Sequence, residues 1–183
     1  MRLPLEYAVL GALMKRPMHG YEVSRYLSSG LKGVWNTGIS NIYGILKRLE
    51  ADGHVRSRVE TQGNRPARRV FSITRGGKEF FRNWVLEPVE SIRDLRVEFM
   101  AKLYFVKDIG IPKGEELVEK QKGVCQTILD SLERPEEEGP QFNRLLFDFR
   151  SCQIQAILAW LERCRTFLGT SSNTGQKRRR GKP

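Results

Sequence analysis

Histidine and cysteine are scarce in this chain of 183 residues, which has two histidines and three cysteines. The sequence has no His-Glu-x-x-His, no Gly-x-x-x-x-Gly-Lys-Ser/Thr and no Gly-x-Ser-x-Gly, so each common catalytic motif lacks a part. The three cysteines, Cys125, Cys152 and Cys164, are odd in number and widely spaced, unlike a disulfide framework or a zinc site. We expect reduced structural thiols, no metal, no cofactor and no catalytic activity.

Long apolar runs are also missing. No stretch approaches the ~18 apolar residues needed to cross a bilayer. Glu6 interrupts the short apolar run at the N-terminus, and no small-residue cleavage pattern follows before Lys15. The sequence therefore predicts a cytoplasmic protein without a membrane partner.

Acidic residues are few in the first part of the chain. Residues 1–83 carry 15 Lys/Arg against 6 Asp/Glu, a net charge of +9 out of +11 for the whole chain. Residues 84–168 have a net charge of −3, and residues 169–183 have +5 with no acidic residue. A basic first part beside a mildly acidic second part indicates a polyanion bound by the first and another task for the second.

Residues 37–53 form the most informative segment. Apolar residues at helical spacing define one buried stripe: Ile42, Ile45, Leu46 and Leu49. The other face carries groups that suit DNA: Ser40, Asn41, Tyr43, Gly44, Lys47 and Arg48. Thr37 can cap the start of this helix and Gly53 can end it. A helix of this length, roughly 20 Å, suits the major groove of DNA.

The neighbouring segments predict a winged helix. Helices are expected at about Leu5 to Lys15 and around Tyr21 to Leu27, with 37–53 as the third. Alternating residues at Val55 to Glu60 and at Arg69 to Ile73 predict a two-stranded hairpin with a cationic tip. Thr74 can cap a further helix after the second strand.

The last helix, about 141–168, has an apolar surface too wide for one partner helix. Its heptad-like seam consists of Phe142, Leu145, Phe149, Cys152, Ala156 and Ala159. A second flank includes Trp160, Leu161 and Leu168. We interpret the seam and Trp160 as a dimer contact, with an intramolecular core as the alternative.

The predicted fold is mainly α with a small β-hairpin, in three parts. Residues 1–86 form an N-terminal winged helix-turn-helix domain, and residues 87–168 a helical dimerisation domain, to which the family resemblance given next adds an effector role. Residues 169–183 lack apolar side chains and read as a disordered basic tail, which either holds phosphates nonspecifically or has no role.

These segments resemble the PadR-like family of bacterial transcriptional regulators. His19 to Val23 is similar to the family's "HGYEI" turn, and Ile42 to Gly53 resembles its "IYxxLKRLExxG" helix. Arg69 to Gly77 looks like the second wing strand with its "YxLTxxG" continuation, although Phe71 replaces the tyrosine. Val97 to Phe105 resembles the start of the larger C-terminal domain of one branch. The resemblance covers nearly all of the chain except the tail.

The resemblance implies a homodimeric repressor that presents two winged helices to a pseudo-palindromic operator and is released by a small aromatic effector. It implies that Tyr43 contacts a DNA phosphate, with Ser40 and Asn41 near base edges. The other candidate DNA contacts are Tyr21, Lys47, Arg48, Arg65, Arg68 and Arg69.

Some alternatives remain at this point. Tyr21 and Tyr43 can instead pack in the core, Lys47 and Arg48 can be solvated, and a salt bridge from Arg69 to Glu60 is an equal rival to DNA contact. The whole molecule can also be a winged-helix protein-interaction module without an operator, or a redox sensor that acts through one of its thiols.

Overall fold

The structure, a computed structural model, describes residues 4–34, 38–60, 68–136 and 139–169. This part of the chain is mostly helical, with one three-stranded antiparallel sheet. It divides into two compact units, residues 1–87 with 93–111, and residues 88–92 with the chain from 112 onward. The predicted fold class, a winged helix followed by a helical region, is confirmed.

Three helices form the helix-turn-helix part of the first unit: α1 (Pro4–Lys15), α2 (Gly20–Gly30) and α3 (Ile39–Ala51). The predicted apolar stripe of α3 is buried at Ile42, Ile45, Leu46 and Leu49. Gly38 occupies the position before the helix, and the predicted cap Thr37 lies outside the described residues. Gly53 adopts φ +74°, a left-handed conformation that favours glycine, so its predicted role in ending the helix is confirmed.

The sheet has one more strand than the sequence predicts. The hairpin strands are β2 (Val55–Glu60) and β3 (Arg68–Ile73), and β1 (Met18–His19) pairs antiparallel with the other edge of β3. Two residues are too few to show an alternating pattern, so the sequence did not predict this strand. It ties the start of α2 to the base of the wing.

The first unit continues with α4 (Arg75–Val85), a short 3₁₀ helix (Asp94–Arg96) and α5 (Glu98–Ile109). The predicted cap of α4 is confirmed, because the Thr74 hydroxyl accepts a hydrogen bond from the Gly77 amide at 3.0 Å. The rings of Phe81 and Phe105 meet edge to face at 5.6 Å in the core.

This position of α5 differs from the predicted division after residue 86. The Tyr26 hydroxyl of α2 and the Lys15 ammonium of α1 both bind the Asp108 carboxylate of α5, the latter at 2.8 Å. Packing at Phe105 and these polar contacts hold α5 in the first unit. The apolar pattern from residue 92 to residue 106 predicts a helix but does not show which of the two units that helix packs in.

The second unit contains α6 (Gly114–Asp130) and α7 (Gln141–Gly169), which pack side by side. One face of α7 is buried, at Ile154, Leu161, Cys164 and Leu168. The buried side-chain amide of Gln121 holds residue Val89 by accepting from its amide at 2.8 Å and donating to its carbonyl at 2.9 Å. The predicted tail lies outside the described residues, apart from Gly169.

Candidate nucleic-acid interface

The outward face of α3 carries polar side chains, as the sequence predicts. Ser40, Asn41 and Lys47 are exposed, and Tyr43 is 46% exposed. Hydroxyl and amide groups can donate to and accept from base edges, and an ammonium group suits phosphates. The helix therefore presents a surface with the chemistry of a DNA-reading helix.

Tyr43 is held in place by the start of α2. A β-carbon placed on Gly20 would lie 2.6 Å from ring carbon Cε1 of Tyr43, so the ring rests directly on the glycine backbone. Only a residue without a side chain leaves room for this contact. The ring is thus supported on one side, and Tyr43 is neither buried in the core nor free in solvent.

A groove of about 640 Å³ lies where α2, α3 and the wing meet. Its lining residues are His19, Tyr21, Glu22, Tyr43, Arg68 and Arg69. Tyr21 is 59% exposed, which argues against the core-packing alternative for this residue. The groove combines two phenolic hydroxyls with two guanidinium groups, an arrangement suited to a phosphate backbone.

The turn below this groove is fixed by two hydrogen bonds. The Glu22 carboxylate accepts from the His19 amide at 2.9 Å and from the Arg16 guanidinium at 2.8 Å. These contacts, the His19 bond first, lower the pKa of Glu22. The His19 ring Nδ1 lies 3.0 Å from the Arg69 carbonyl oxygen, to which it donates across the sheet. The turn and the wing are therefore connected through His19.

Arg48 is occupied by an internal partner. Its guanidinium donates through Nε and Nη2 to Glu6 Oε1 of α1, at 3.1 and 3.0 Å. Glu6 is 8% exposed, so this carboxylate needs a partner to offset the cost of burial. Arg48 thereby joins α3 to α1 in addition to facing solvent.

Arg69 is also paired, and its partner differs from the expected one. Its Nη2 donates to Glu50 Oε2 at 2.8 Å, whereas Glu60 pairs with Arg58 at 2.7 Å. The strand register explains the difference, because Glu60 lies opposite Arg68 and not opposite Arg69. The suggested salt bridge from Arg69 to Glu60 is wrong.

Ser57 completes this cluster at the base of the wing. Its hydroxyl donates to Glu50 Oε1 at 2.6 Å and accepts from Arg69 Nη2 at 2.7 Å. The Ser57 amide also donates to Glu50 Oε1, at 3.1 Å. Glu50, Ser57 and Arg69 therefore form one network, which we call the wing clamp, between the end of α3 and strands β2 and β3.

The basic side chains of the interface thus fall into two groups. Arg48 and Arg69 have carboxylate partners, whereas Lys47 and Arg68 are exposed and have no ion-pair partner among the residues that the structure describes. Arg65, the remaining wing candidate, lies outside the described residues. Lys47 and Arg68 are therefore the cations best available to a polyanion.

Sequence reasoning missed three of the residues that shape this surface. Glu6 and Glu50 compensate the two paired arginines, and Arg25 is exposed on α2 four residues after Tyr21. The spacing of Tyr21 and Arg25 was a usable signal, since residues four apart share a helix face. The two carboxylates could be found only from the tertiary arrangement.

The predicted seam on α7 is exposed in the second unit. Phe142, Leu145 and Phe149 are between 63% and 70% exposed, and Cys152, Ala156 and Ala159 are exposed too. Trp160 is only half-buried and lies on the flank of this seam. The intramolecular-core alternative therefore fails for the seam, because α6 covers the opposite face of α7.

The thiols differ in their surroundings. Cys125 and Cys164 are buried, and burial raises the pKa of both thiols, for Cys164 to about 11. Cys152 is exposed on the seam. In the described part of the chain, no group of three or more His, Cys, Asp or Glu side chains is placed to hold a metal ion. No helix within the same residues is long and apolar enough to span a membrane.

Comparison with known proteins agrees with this architecture. Residues 9–83 match the model of the transcriptional regulator PadR-like family. The chain is 27% identical to the negative transcriptional regulator PadR of Bacillus subtilis over 173 residues, which cover 86% of this chain and 93% of the relative. It is 28% identical to a probable transcriptional regulator of Mycobacterium tuberculosis over 91 residues, which cover 50% of this chain and 48% of the relative.

Two solved structures also align with most of this chain. Bacillus subtilis PadR in complex with operator DNA is 25% identical, with 90% of this chain and 98% of that chain covered and a TM-score of 0.44. The same protein in complex with p-coumaric acid is 24% identical, with 91% and 99% covered and a TM-score of 0.41. The winged-helix part of the chain thus matches the PadR-like family of transcriptional regulators, and a curated relative aligns along most of its length.

Proposed function

We propose that this protein is a sequence-specific DNA-binding repressor that binds a pseudo-palindromic operator as a homodimer. The observation that carries the proposal is the groove between α2, α3 and the wing, where exposed Tyr21 and Tyr43 lie beside Arg68. The curated relative that aligns along most of its length is a negative transcriptional regulator, which supports repression.

In this proposal α3 enters the major groove. Ser40 and Asn41 lie near base edges, and Tyr43 and Lys47 bind the phosphates that flank them. Tyr21 from α2 and Arg68 from the wing bind the backbone on either side of the groove. Arg48 and Arg69 support the interface through their carboxylate partners, and Arg65 belongs to the wing tip.

The second part of the proposal is the dimer. The seam of α7, from Phe142 to Ala159 with Trp160 on its flank, exposes an apolar stripe that a second copy can cover. A two-fold dimer would place two reading helices about 34 Å apart, the spacing of successive major grooves on one side of DNA. The symmetry of the protein then explains a pseudo-palindromic site.

We extend the proposal to release by a small aromatic effector, as the family resemblance of the sequence implies. Such a ligand acts only if it binds the DNA-free form more tightly than the DNA-bound form. A panel of phenolic acids, with p-coumaric acid as its first member, should contain a compound that raises the Tm and weakens DNA binding. A panel in which no compound does both would contradict release by this class of ligand.

The redox alternative has little support in the structure. Only a thiolate reacts readily with oxidants, and the raised pKa values of Cys125 and Cys164 keep these thiols protonated at neutral pH. Exposed Cys152 remains as the one candidate. Unchanged DNA affinity after treatment with hydrogen peroxide would remove this alternative.

The test is binding to the DNA upstream of the gene that encodes this chain. Fluorescence anisotropy across a salt series, with an unrelated duplex as control, should show selective binding that weakens as salt rises. Equal affinity for both duplexes would contradict an operator in that region. Binding that is insensitive to salt would favour the protein-interaction module instead.

A further inference from the structure

In the wing clamp, an arginine that faces the groove is paired with a carboxylate. Arg69 lines the groove together with Tyr43 and Arg68, and about half of its side chain is exposed. Arg68 next to it has no such partner within the described residues. Of two adjacent wing arginines, Arg69 is thus paired with a carboxylate and Arg68, in the part of the chain that the structure describes, is not.

We infer that Glu50 is a specificity-determining residue, whose carboxylate withholds Arg69 from DNA phosphates and so weakens binding to unrelated sequences. This inference rests on the proposed function, because it concerns the same DNA-binding surface. If Glu50 only supported the fold, its replacement would weaken DNA binding. Here its replacement should strengthen binding to unrelated DNA.

Phosphate contacts do not distinguish one DNA sequence from another. A contact between arginine and phosphate strengthens binding to every sequence equally, since the backbone carries no sequence information. An arginine already paired with a carboxylate releases few counterions on binding, and the carboxylate itself repels phosphates. Pairing Arg69 with Glu50 therefore removes a nonspecific contribution to DNA affinity and leaves the contribution of the base contacts to that affinity unchanged.

The geometry keeps this pairing in place. Glu50 accepts from the hydroxyl and the amide of Ser57 through Oε1 and from Arg69 through Oε2, so both carboxylate oxygens are used. The Ser57 hydroxyl also accepts from Arg69 at 2.7 Å, which orients the guanidinium toward the clamp. The Ser57 hydroxyl bond and the charge of Arg69 lower the pKa of Glu50, so the carboxylate stays ionised at neutral pH.

The first test is the variant Glu50→Gln, which keeps the shape of the side chain and removes its charge. Its affinity for an unrelated duplex should rise roughly threefold to tenfold at low salt, because one more arginine reaches a phosphate. The slope of log affinity against log salt should steepen by about one for the same reason. The ratio of affinities for the upstream and the unrelated duplex should fall.

A matched control is Glu79→Gln. It removes the same charge from an exposed ion pair with Arg75 on α4, at 3.1 Å, and does not touch the clamp. This variant should bind the unrelated duplex with the wild-type salt slope. An equal rise in both variants would show that net charge alone is responsible and would overturn the inference.

Two further variants separate the role of Arg69 from damage to the fold. Arg69→Ala alone should leave the salt slope for the unrelated duplex at its wild-type value, because the charge that it removes is already paired with Glu50. The double variant Glu50→Gln with Arg69→Ala should return to the wild-type slope. Circular dichroism of all variants checks that the winged helix is intact.

Two results would overturn the inference. One is a folded Glu50→Gln variant with unchanged or weaker binding to the unrelated duplex. The other is an Arg69→Ala variant whose salt slope falls by about one, which would show that Arg69 already contacts a phosphate. If the wild type binds both duplexes equally, the proposed operator fails, and the slopes on the unrelated duplex still decide the role of Glu50.

Discussion

The two units expose aromatic side chains of different character. Among the described residues of the first unit, the exposed rings are those of Tyr21 and Tyr43, each with a hydroxyl group, next to basic side chains. In the second unit they are those of Phe142, Phe149 and Phe167, and the first two form an apolar stripe with Leu145. A tyrosine surface suits a hydrated polyanion, whereas a phenylalanine stripe is stabilised only by excluding water.

The difference indicates two partners for one chain. Covering a Phe or Leu side chain contributes about 1.5–3 kcal/mol, so the α7 seam gains much more from a second apolar surface than from DNA. Phosphate contacts at the tyrosine surface depend on salt and are individually weak. In the proposed dimer, tight binding to DNA depends on the seam, because joining two winged helices multiplies their separate affinities.

The largest effect should come from a charge placed in the apolar seam of α7. Phe149→Glu places a charge in the seam and should convert the dimer to a monomer. Affinity for the upstream duplex should fall on the order of a hundredfold, because the two half-sites are then bound independently. Light scattering and fluorescence anisotropy measure the two effects.

The control for this variant is Asn143→Glu, on an exposed position of the first turn of α7 that lies off the seam. It adds the same carboxylate to the same helix and should leave both the mass and the affinity unchanged. A Phe149→Glu protein that remains dimeric would show that the seam is not the contact.

A smaller effect on DNA binding is expected from a change in the tyrosine surface of the first unit. Tyr43→Phe removes one exposed hydroxyl and should weaken operator binding about fivefold to tenfold, the value of roughly one ordinary hydrogen bond. The Tm and the dimer should not change. Equal affinity in both proteins would mean that the Tyr43 hydroxyl does not contact DNA.

The matched control is Tyr26→Phe, which removes the hydroxyl that donates to Asp108 inside the first unit. This change should lower the free energy of unfolding by about 1–2 kcal/mol and leave the DNA affinity of the folded protein as it was. The pair distinguishes a tyrosine that binds DNA from one that supports the fold.

Thiol reactivity gives a second test of the seam. Buried Cys125 and Cys164 should stay unreactive toward iodoacetamide in the native protein, and Cys152 should react slowly if the seam is covered by a second copy. In Phe149→Glu, Cys152 should react faster than in wild type. Mass spectrometry counts the labels, and equal rates in both proteins would contradict a covered seam.

The smallest effect concerns acid stability of the turn below the groove. Because the native pKa of Glu22 is lowered from its ordinary value of 4.5, the native state binds fewer protons than the unfolded state. Stability from Glu22 is therefore present above pH 4.5 and is lost as the pH falls through the native pKa. Glu22→Gln should lose less stability than wild type between about pH 5 and pH 3. If unfolding curves show the same loss of stability in both proteins over this pH range, this prediction is wrong.

The sequence predicted those features that repeat with a regular period. Ile42, Ile45 and Leu49 marked the buried face of α3, and Phe142 to Ala159 marked the exposed seam of α7. The Thr74 cap was also readable, because its effect is confined to three residues. Periodic and local signals therefore gave the helices, the hairpin and the outward face of the reading helix.

Contacts between distant residues were not predictable. Arg48 and Glu6 are 42 positions apart, and nothing in the sequence links them. Strand β1 has only two residues, and its pairing with β3 depends on the fold of the whole first unit. The states of the interface arginines follow from these tertiary contacts, so composition alone overstated the positive charge available to DNA.

The most direct measurement is the stoichiometry of the complex with the upstream duplex, by light scattering. We expect two chains of 21.1 kDa each on one duplex, and a dimer of two chains without DNA. We also expect Phe149→Glu to lose this complex while it remains folded. A tight complex with a single chain on each duplex would contradict the dependence of the polar DNA surface on the apolar seam.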